Sequence, residues 1–353
     1  MSDQPSSKLN SVIAIVGPTA TGKSALSFLL AEQAVMRHAW AGAVIISVDS
    51  RQVYRGLEVC TGADIPGSWS LVGAELISAK GPVYQHPQLP MFFCGISLIE
   101  PTAEWSVTQF RRYALPIIQA AFEKQMGVIL VGGTGLYHEH LFSTDPMLMV
   151  SPNPELRSEI ALLPLSEVQQ RVQVLAPEQW HALNFSDRAN LRRLVRVLEK
   201  QQRPKEKQDD DLMAEIQLSK IFYATVGITD NRDTLEQHIR QRIDERLRLG
   251  AVIEVEKMIE RYCDQEWNLP AFTSTGCREV RAYIEEQIDR EQLDALWTRR
   301  ELQYAKRQLT WWKKHQAATS VEFSRKTEQW YDLSQQETQA WQTAILDSCI
   351  LNL

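Results

Sequence analysis

The stretch that most narrows the possible folds is Gly17-Pro18-Thr19-Ala20-Thr21-Gly22-Lys23-Ser24, which matches GxxxxGK(S/T). It follows a β-rich apolar run, Val12-Ile13-Ala14-Ile15-Val16, and leads into a helix-like pattern at Ala25-Leu26 and Phe28-Leu29-Leu30. Strand, loop and helix in that order are the context in which the motif binds phosphate. The glycines let backbone N–H groups converge on phosphate oxygens, and the helix N-terminus adds positive potential. Lys23 supplies a point charge. The Ser24 hydroxyl can join the shell of a Mg²⁺ ion, the one metal cofactor expected here. A chance match on a tight strand-to-helix turn is the alternative, and the intact context speaks against it. The loop does not say which phosphate it holds; ATP or GTP with phosphoryl transfer is the default.

Two more apolar runs follow. Val44-Ile45-Ile46-Ser47-Val48 ends at Asp49, and Val128-Ile129-Leu130-Val131 ends at Gly132-Gly133. Continuous apolar strands between helical patterns predict an α/β fold, a parallel sheet of P-loop NTPase-like type flanked by helices on both faces. A fourth run, Ile221 to Ile228, comes roughly 90 residues after the third, far longer than an ordinary connection within a sheet. The intervening stretch is polar and helix-like, punctuated by Pro152, Pro154, Pro164 and Pro177. Residues 141–215 therefore read as a helical insertion in a core made of 11–140 and 216–320. Within it, Lys200 to Asp211 reads as an exposed loop of alternating charge. Asp233 to Lys314 is almost wholly helical in pattern. Residues 1–10 read as a flexible leader without a secretory signal, and 321–353 as a tail to which the sequence assigns no role.

Composition bounds the setting. The chain of 353 residues is 44% hydrophobic and 23% charged, ordinary for a globular protein, and no apolar run approaches bilayer length, so no membrane partner is expected. None of the five cysteines forms a CxxC pair, and their spacings suit neither zinc nor a disulfide framework, which fits a reducing, cytoplasmic setting. The net charge of −6 argues against a surface coated with base, though not against a local basic face. A monomer is expected.

Asp49 falls at the carboxyl end of its strand, where ligands bind in open α/β sheets. It can hold Mg²⁺, act as a general base, or cap the next turn, and the residues alone leave these open. Residues 299–314 read RRELQYAKRQLTWWKK. Leu302, Ala305, Leu309 and Trp312 recur at helical spacing as one buried face. Arg300, Arg307 and Lys314 recur every seven residues opposite, with Tyr304 and Trp311 beside them. Basic residues with an outward Trp fit phosphate contact and base stacking; the alternative is solvated charge, with Trp311 packed on the tail. Arg192, Arg193 and Arg196 form a second basic helix, in the insertion, which can clamp a backbone phosphate or be ordinary surface charge.

Several separated blocks carry a resemblance. Ser47-Val48-Asp49-Ser50-Arg51-Gln52-Val53-Tyr54-Arg55-Gly56-Leu57 resembles the signature that follows the phosphate loop in tRNA dimethylallyltransferases. Val131-Gly132-Gly133-Thr134-Gly135-Leu136-Tyr137 resembles their second signature, Asn231-Arg232 with Leu235 and Arg242-Ile243 their basic segment, and Gln303 through Trp312 their late helix. The resemblance implies that dimethylallyl diphosphate occupies the loop at Gly17–Ser24 and that its prenyl group passes to the N6 amine of an adenine beside the tRNA anticodon. It implies Asp49 as general base, with Thr19 and Arg232 steadying the leaving oxygen. It implies tRNA contacts at Asp49, Ser50, Arg51, Gln52, Thr134, Arg157, Gly276 and Arg278, besides the basic helices. On the residues alone, Arg232 reads first as a helix-start surface charge, and Gly132, Gly133 and Thr134 equally as a plain strand-to-helix turn with an N-cap threonine.

The chain departs from the family in three places. The histidine-rich stretch before Asp-Pro is Gln85-His86-Pro87-Gln88-Leu89-Pro90 and then Ile99-Glu100-Pro101; the Gly-Thr-Ala-Lys-Pro turn is Cys60-Thr61-Gly62-Ala63-Asp64; and the Ile-Gly-Tyr turn is Thr275-Gly276-Cys277-Arg278-Glu279. All three bear on substrate choice more than on the reaction. The rival readings are an adenylate isopentenyltransferase acting on free nucleotide, a small-molecule kinase, and a non-catalytic RNA-binding protein that kept the loop as scaffold.

Overall fold

Strand β1 (Asn10–Val16) is rich in β-branched residues and is buried from Ser11 onward. Such a strand needs neighbours on both sides and cover on both faces. It has them: β1 pairs in parallel with β6 (Gly127–Val131) and with β7 (Ile221–Thr229). β2 (Ala43–Ser47) lies between β6 and β5 (Met91–Cys94), again in parallel. The short strands β3 (Ser70–Val72) and β4 (Val83–Gln85) extend one edge in antiparallel fashion. The computed structural model describes residues 10–143, 145–148, 150, 152–201, 220–315, 325–335, 343–345 and 347. Among them the sheet has the order β3-β4-β5-β2-β6-β1-β7-β8, the mostly parallel α/β architecture expected.

β8 (Arg325–Asp332) falls in the tail, for which the residues alone suggest no role. It pairs in parallel with β7 from Phe222 to Thr229, and the Trp330 ring lies where a Cβ on Gly227 would be. At the other end, Asn10 is already the first residue of β1 rather than the last of a leader, because its partner Ile221 opens the β1–β7 ladder. Residues 1–9 and most of 200–211 lie outside the described residues.

Helix α1 (Lys23–Met36) buries Leu26, Leu30, Ala31 and Ala34 against Ile13, Ile15, Ile45 and Phe93 on one face of the sheet. The short α2 (Glu58–Thr61) follows β2. Helix α3 (Val107–Glu123) opens with a capping box between Ser106 and Gln109 and buries Phe110, Ala114, Ile117, Ile118 and Ala121. α4 (Gly135–His140) follows β6 directly.

The chain divides into two compact units, 144–214 and the remainder. Within 144–214 run α5 (Pro154–Ala161), α6 (Leu165–Leu175), α7 (Pro177–Ala182), α8 (Phe185–Arg188) and α9 (Leu191–Gln201). They enclose a core of their own, with Leu156, Ile160, Val168, Val172, Leu194 and Leu198. In the larger unit, α10 (Arg232–Leu249), α11 (Ala251–Arg261), α12 (Cys277–Ile284) and the long α13 (Arg290–His315) gather around Leu235, Ile243, Val255, Phe272 and Trp297, together with Val53, Tyr54 and Leu57 from the segment after β2. That shared core fixes α10 and α13 beside the carboxyl ends of the strands.

Candidate active site

The phosphate loop is held by contacts that specify its residues. Gly17 has φ 144°, and a Cβ there would lie 2.1 Å from the Ile228 carbonyl oxygen on β7, so the close approach of β7 requires glycine. Gly22 has φ 80° and precedes α1, whose N-terminus has no side-chain cap. The Thr21 hydroxyl donates to the Pro18 carbonyl at 2.9 Å, and Lys23 Nζ donates to the same oxygen at 2.5 Å.

Thr19, Ala20, Gly22, Lys23 and Ser24 line a cleft of about 840 Å³ at the carboxyl edge of the sheet, with Asp49, Arg51 and Gln52 on the same cleft wall. Lys23 keeps some solvent exposure, but protein surrounds its ammonium on the cleft floor. That desolvation, helped by the Arg242 charge, pulls it down to about 7 against the opposite pull of Asp49, Asp64 and Glu301. Asp49 is affected in the reverse sense: burial raises its carboxyl above the ordinary range, opposed by the Arg51 N–H, the Arg51 guanidinium and Lys23. Its Oδ1 accepts that Arg51 N–H at 2.8 Å.

The turn after β6 closes on the turn after β2. Thr134 makes no side-chain cap bond to α4; its Oγ1 instead accepts from the Ser50 N–H at 3.1 Å, and its own N–H donates to Val48 O at 3.2 Å. Thr134 thus occupies the N-cap position of α4 while its hydroxyl serves the turn after β2. Gln52 bridges Ser47 and the Gly62 carbonyl, each at 2.7 Å. Arg51 reaches the Pro270 carbonyl and Thr273 Oγ1.

Arg232 stands apart from this group. It is exposed at the first turn of α10, just after the capping residue Asn231, and does not line the cleft. Further along the same helix, Arg242 does; it donates to the Gly62 carbonyl at 3.0 Å and pairs with Asp64 at 2.5 Å. Beside it, Arg246 and Glu301 form a buried pair at 2.9 Å, and Thr275 Oγ1 donates to the same carboxylate oxygen at 2.8 Å. Burial pushes Glu301 up, but Arg246, Thr275 and Arg242 outweigh it and hold the carboxyl below its usual range.

Helix α13 corrects the expected two-faced pattern. Its buried stripe is Leu293, Trp297, Glu301, Ala305, Gln308 and Trp312, while Leu302 and Leu309 are only half-buried. Gln308 accepts the Thr19 N–H at 2.8 Å and so ties α13 to the phosphate loop. Tyr304 lines the cleft. Trp311 lies against Gly135 and stacks on His315 at 4.0 Å. Trp311 therefore faces protein and Tyr304 the cleft, because α13 packs on α4 and the phosphate loop as well as on α10. Arg300, Arg307 and Lys314 are exposed; Arg300 pairs with Glu279 at 2.6 Å, and Arg307 sits over the Tyr304 ring at 5.6 Å.

Gly276 precedes α12 and donates to Glu279 at 3.0 Å, and Arg278 reaches Asn268 at 3.4 Å. Within 144–214, Arg157 and Arg196 both bind Glu199, at 2.8 and 3.0 Å, and Arg193 pairs with Asp187. Arg192 is exposed. Arg157 thus ties α5 to α9 through the buried Glu199 carboxylate, which Arg196 also meets from one turn away on α9. The sequence did not point to Arg242, Tyr304 and Gln308 as cleft residues. The one signal for the last two was their place inside the late-helix block.

A phosphate loop, a carboxylate with a raised proton affinity and a second wall of arginine and tyrosine define a group-transfer enzyme of the P-loop class. Residues 72–315 match the IPP transferase family. The chain is 30% identical over 307 residues to a tRNA dimethylallyltransferase of Moorella thermoacetica, covering 85% of this chain and 86% of that protein. It is 29% identical over 302 residues to one of Gloeothece citriformis, covering 86% and 88%. The chain belongs to the IPP transferase family.

Its fold is shared with a full-length tRNA isopentenylpyrophosphate transferase from Bacillus halodurans, at TM-score 0.59 and 23% identity over 97% of both chains. It is also shared with a eukaryotic dimethylallyltransferase solved while acting on tRNA, at TM-score 0.69 and 20% identity, over 95% of this chain and 78% of that one.

Proposed function

We propose that the chain transfers the dimethylallyl group of dimethylallyl diphosphate to the N6 amine of an adenine beside the tRNA anticodon, releasing diphosphate. The observation that carries this is the placing of Asp49, with its raised proton affinity, in one cleft with Lys23 and Ser24 of the phosphate loop. The amine attacks the allylic carbon, the carbon–oxygen bond to the diphosphate breaks, and the amine proton passes to Asp49. Lys23 and Arg242 supply positive charge where the leaving group gains negative charge. The Thr19 side chain lines the cleft and is the candidate to steady the leaving oxygen, whereas Arg232 lies off the cleft wall. The adenine is extruded from its stack to reach the cleft.

Among the described residues no group of three or more His, Cys, Asp or Glu side chains is placed to hold a metal. A Mg²⁺ ion would fit here with Ser24 as its protein ligand and substrate phosphates and water as the rest, the usual habit of that ion; it would neutralise phosphate charge. No helix among the described residues is long and apolar enough to cross a membrane. A cytoplasmic monomer is the working form under this reading, and the free thiols of Cys60, Cys94 and Cys277 fit that compartment.

Incubation with labelled dimethylallyl diphosphate and either bulk tRNA or AMP tests the reading. Label is expected in tRNA and not in AMP. Label in AMP alone would make the chain an adenylate prenyltransferase, and phosphoryl transfer from ATP would make it a kinase.

The exposed basic residues of α13 give a second expectation. Arg307→Ala with Lys314→Ala should weaken tRNA binding at low salt, and the loss should shrink as salt rises, because fewer counterions are released. Donor affinity should not change. Arg300 is a poorer probe, since its removal strands the buried Glu279 carboxylate. Unchanged tRNA affinity at low salt in the folded double variant would show that this face is only solvated.

A further inference from the structure

One corner of the cleft wall is built from apolar side chains alone. Phe28, Ala63, Ile65 and Phe93 line that corner, and each belongs to or packs against the core on the α1 side of the sheet. Phe93 is buried on β5, and Phe28 meets it edge-on at 5.4 Å. On its other side Phe28 is tilted against Trp69 at 5.3 Å, and Trp69 in turn meets the His86 ring at 5.5 Å. The back of the corner is therefore closed by a chain of ring contacts that a bound group would have to break in order to pass.

Phe28 follows Ser24 by four residues on α1, which places it one turn along the same helix face, with Cβ atoms about 5–6 Å apart. Phosphates held at Lys23 and Ser24 thus have an aromatic wall beside them. Ala63 is the smallest side chain at the corner. It stands in the turn next to Gly62, whose carbonyl is fixed by Gln52 and Arg242, so its position is set by the same contacts that shape the cleft.

We infer that this corner seats the hydrocarbon of the allylic diphosphate and sets the chain length that the enzyme accepts, a five-carbon group in preference to a ten-carbon one, with Phe28 and Ala63 as the gauge. The inference rests on the transferase reading above. The hydrocarbon carries no group that can hydrogen-bond, so its selection depends on apolar contact and on the space available. One further methylene in such a pocket changes discrimination about 10–200-fold, and an added isoprene unit must displace Phe28 or Trp69 from their ring contacts.

Two variants of the full-length protein move the gauge in opposite directions. Phe28→Ala opens the corner and Ala63→Leu fills it. Each is assayed with dimethylallyl and geranyl diphosphate as donors and bulk tRNA as acceptor, with inorganic diphosphate as inhibitor and circular dichroism to establish folding. Phe28→Ala is expected to raise the geranyl-to-dimethylallyl ratio of kcat/KM by about tenfold or more. Ala63→Leu is expected to raise KM for dimethylallyl diphosphate by about tenfold while the inhibition constant of diphosphate stays at its wild-type value. Should Phe28→Ala not fold, Ala63→Leu alone decides. The inference is overturned if the folded variants keep the wild-type ratio and KM, or if the inhibition constant of diphosphate moves in step with KM, which would put these residues at the phosphates instead. A wild-type enzyme that transfers neither donor to tRNA would take the proposed function down with it; one that transfers normally, with unmoved variants, would sink the chain-length gauge alone.

Discussion

Asp49→Ala is expected to lower kcat about 10²–10⁴-fold, the usual contribution of a general base, while tRNA binding changes little. The N6 amine of adenine is a weak nucleophile, and its nitrogen becomes cationic as the carbon–nitrogen bond forms, so a base within reach lowers the barrier. Asp49 is suited to this by its surroundings. Burial raises its proton affinity above that of an ordinary carboxylate, and the Arg51 N–H at 2.8 Å fixes the orientation of the group. The base works only when ionised. Turnover should therefore fall as pH drops through the raised pKa, with the acid limb above the ordinary aspartate range. Asp49→Asn keeps the size and the hydrogen bond to Arg51, so it should lose as much rate as the alanine variant and lack the acid limb. Near wild-type kcat in a folded Asp49→Asn protein would remove Asp49 from the reaction and leave it the role of turn cap.

The phosphate loop and the strand ends were legible in the sequence because their signal is local. β1, β2, β6 and β7 are continuous apolar runs, and Gly17 through Ser24 sit between one of them and a helix. The second wall of the cleft was not legible, for two reasons. Arg242 gains its place from Gly62 and Asp64, positions 180 and 178 residues away in the chain, and helix periodicity shows it only as one more surface arginine. Glu301 and Gln308 occupy the buried stripe of α13, where a reading that counts apolar residues passes them over; they are there because they bond Arg246, Thr275 and Thr19. Tyr304 and Trp311 were placed outward by the same single-stripe reading, which fails for a helix with neighbours on more than one side. β8 reads RKTEQWYD, an edge strand rich in charge of the sort that blocks pairing between molecules, and such a strand gives no apolar run to find.

Lys23→Met is expected to reduce kcat/KM for the donor about 10²–10³-fold, on the scale of removing one donor aimed at developing charge. The Met side chain keeps the length and loses the ammonium that faces the diphosphate. The pH dependence separates this from a packing defect. In the cleft Lys23 is drawn from its ordinary 10.5 to about 7 by burial first and by Arg242 second, so above neutrality much of the protein carries a neutral amine there. Donor capture should accordingly weaken as pH rises through about 7, and a diphosphate that does bind should pull a proton back onto Lys23. Calorimetry at pH 8 in buffers of different ionisation enthalpy should then register proton uptake on donor binding in the wild type and none at this site in Lys23→Met. The same shift acts on the fold. Between about 7 and 10.5 the unfolded chain holds a proton on this lysine that the folded chain has released, so its contribution to stability rises with pH across that window. Lys23→Met removes the contribution, and the variant's melting temperature should show a smaller gain than the wild type's between pH 7 and 9. A wild-type enzyme whose donor affinity is flat from pH 6 to 9, with no proton uptake, would show that Lys23 keeps its charge throughout that range, and an unchanged kcat/KM in folded Lys23→Met would move the charge opposing the diphosphate to Arg242.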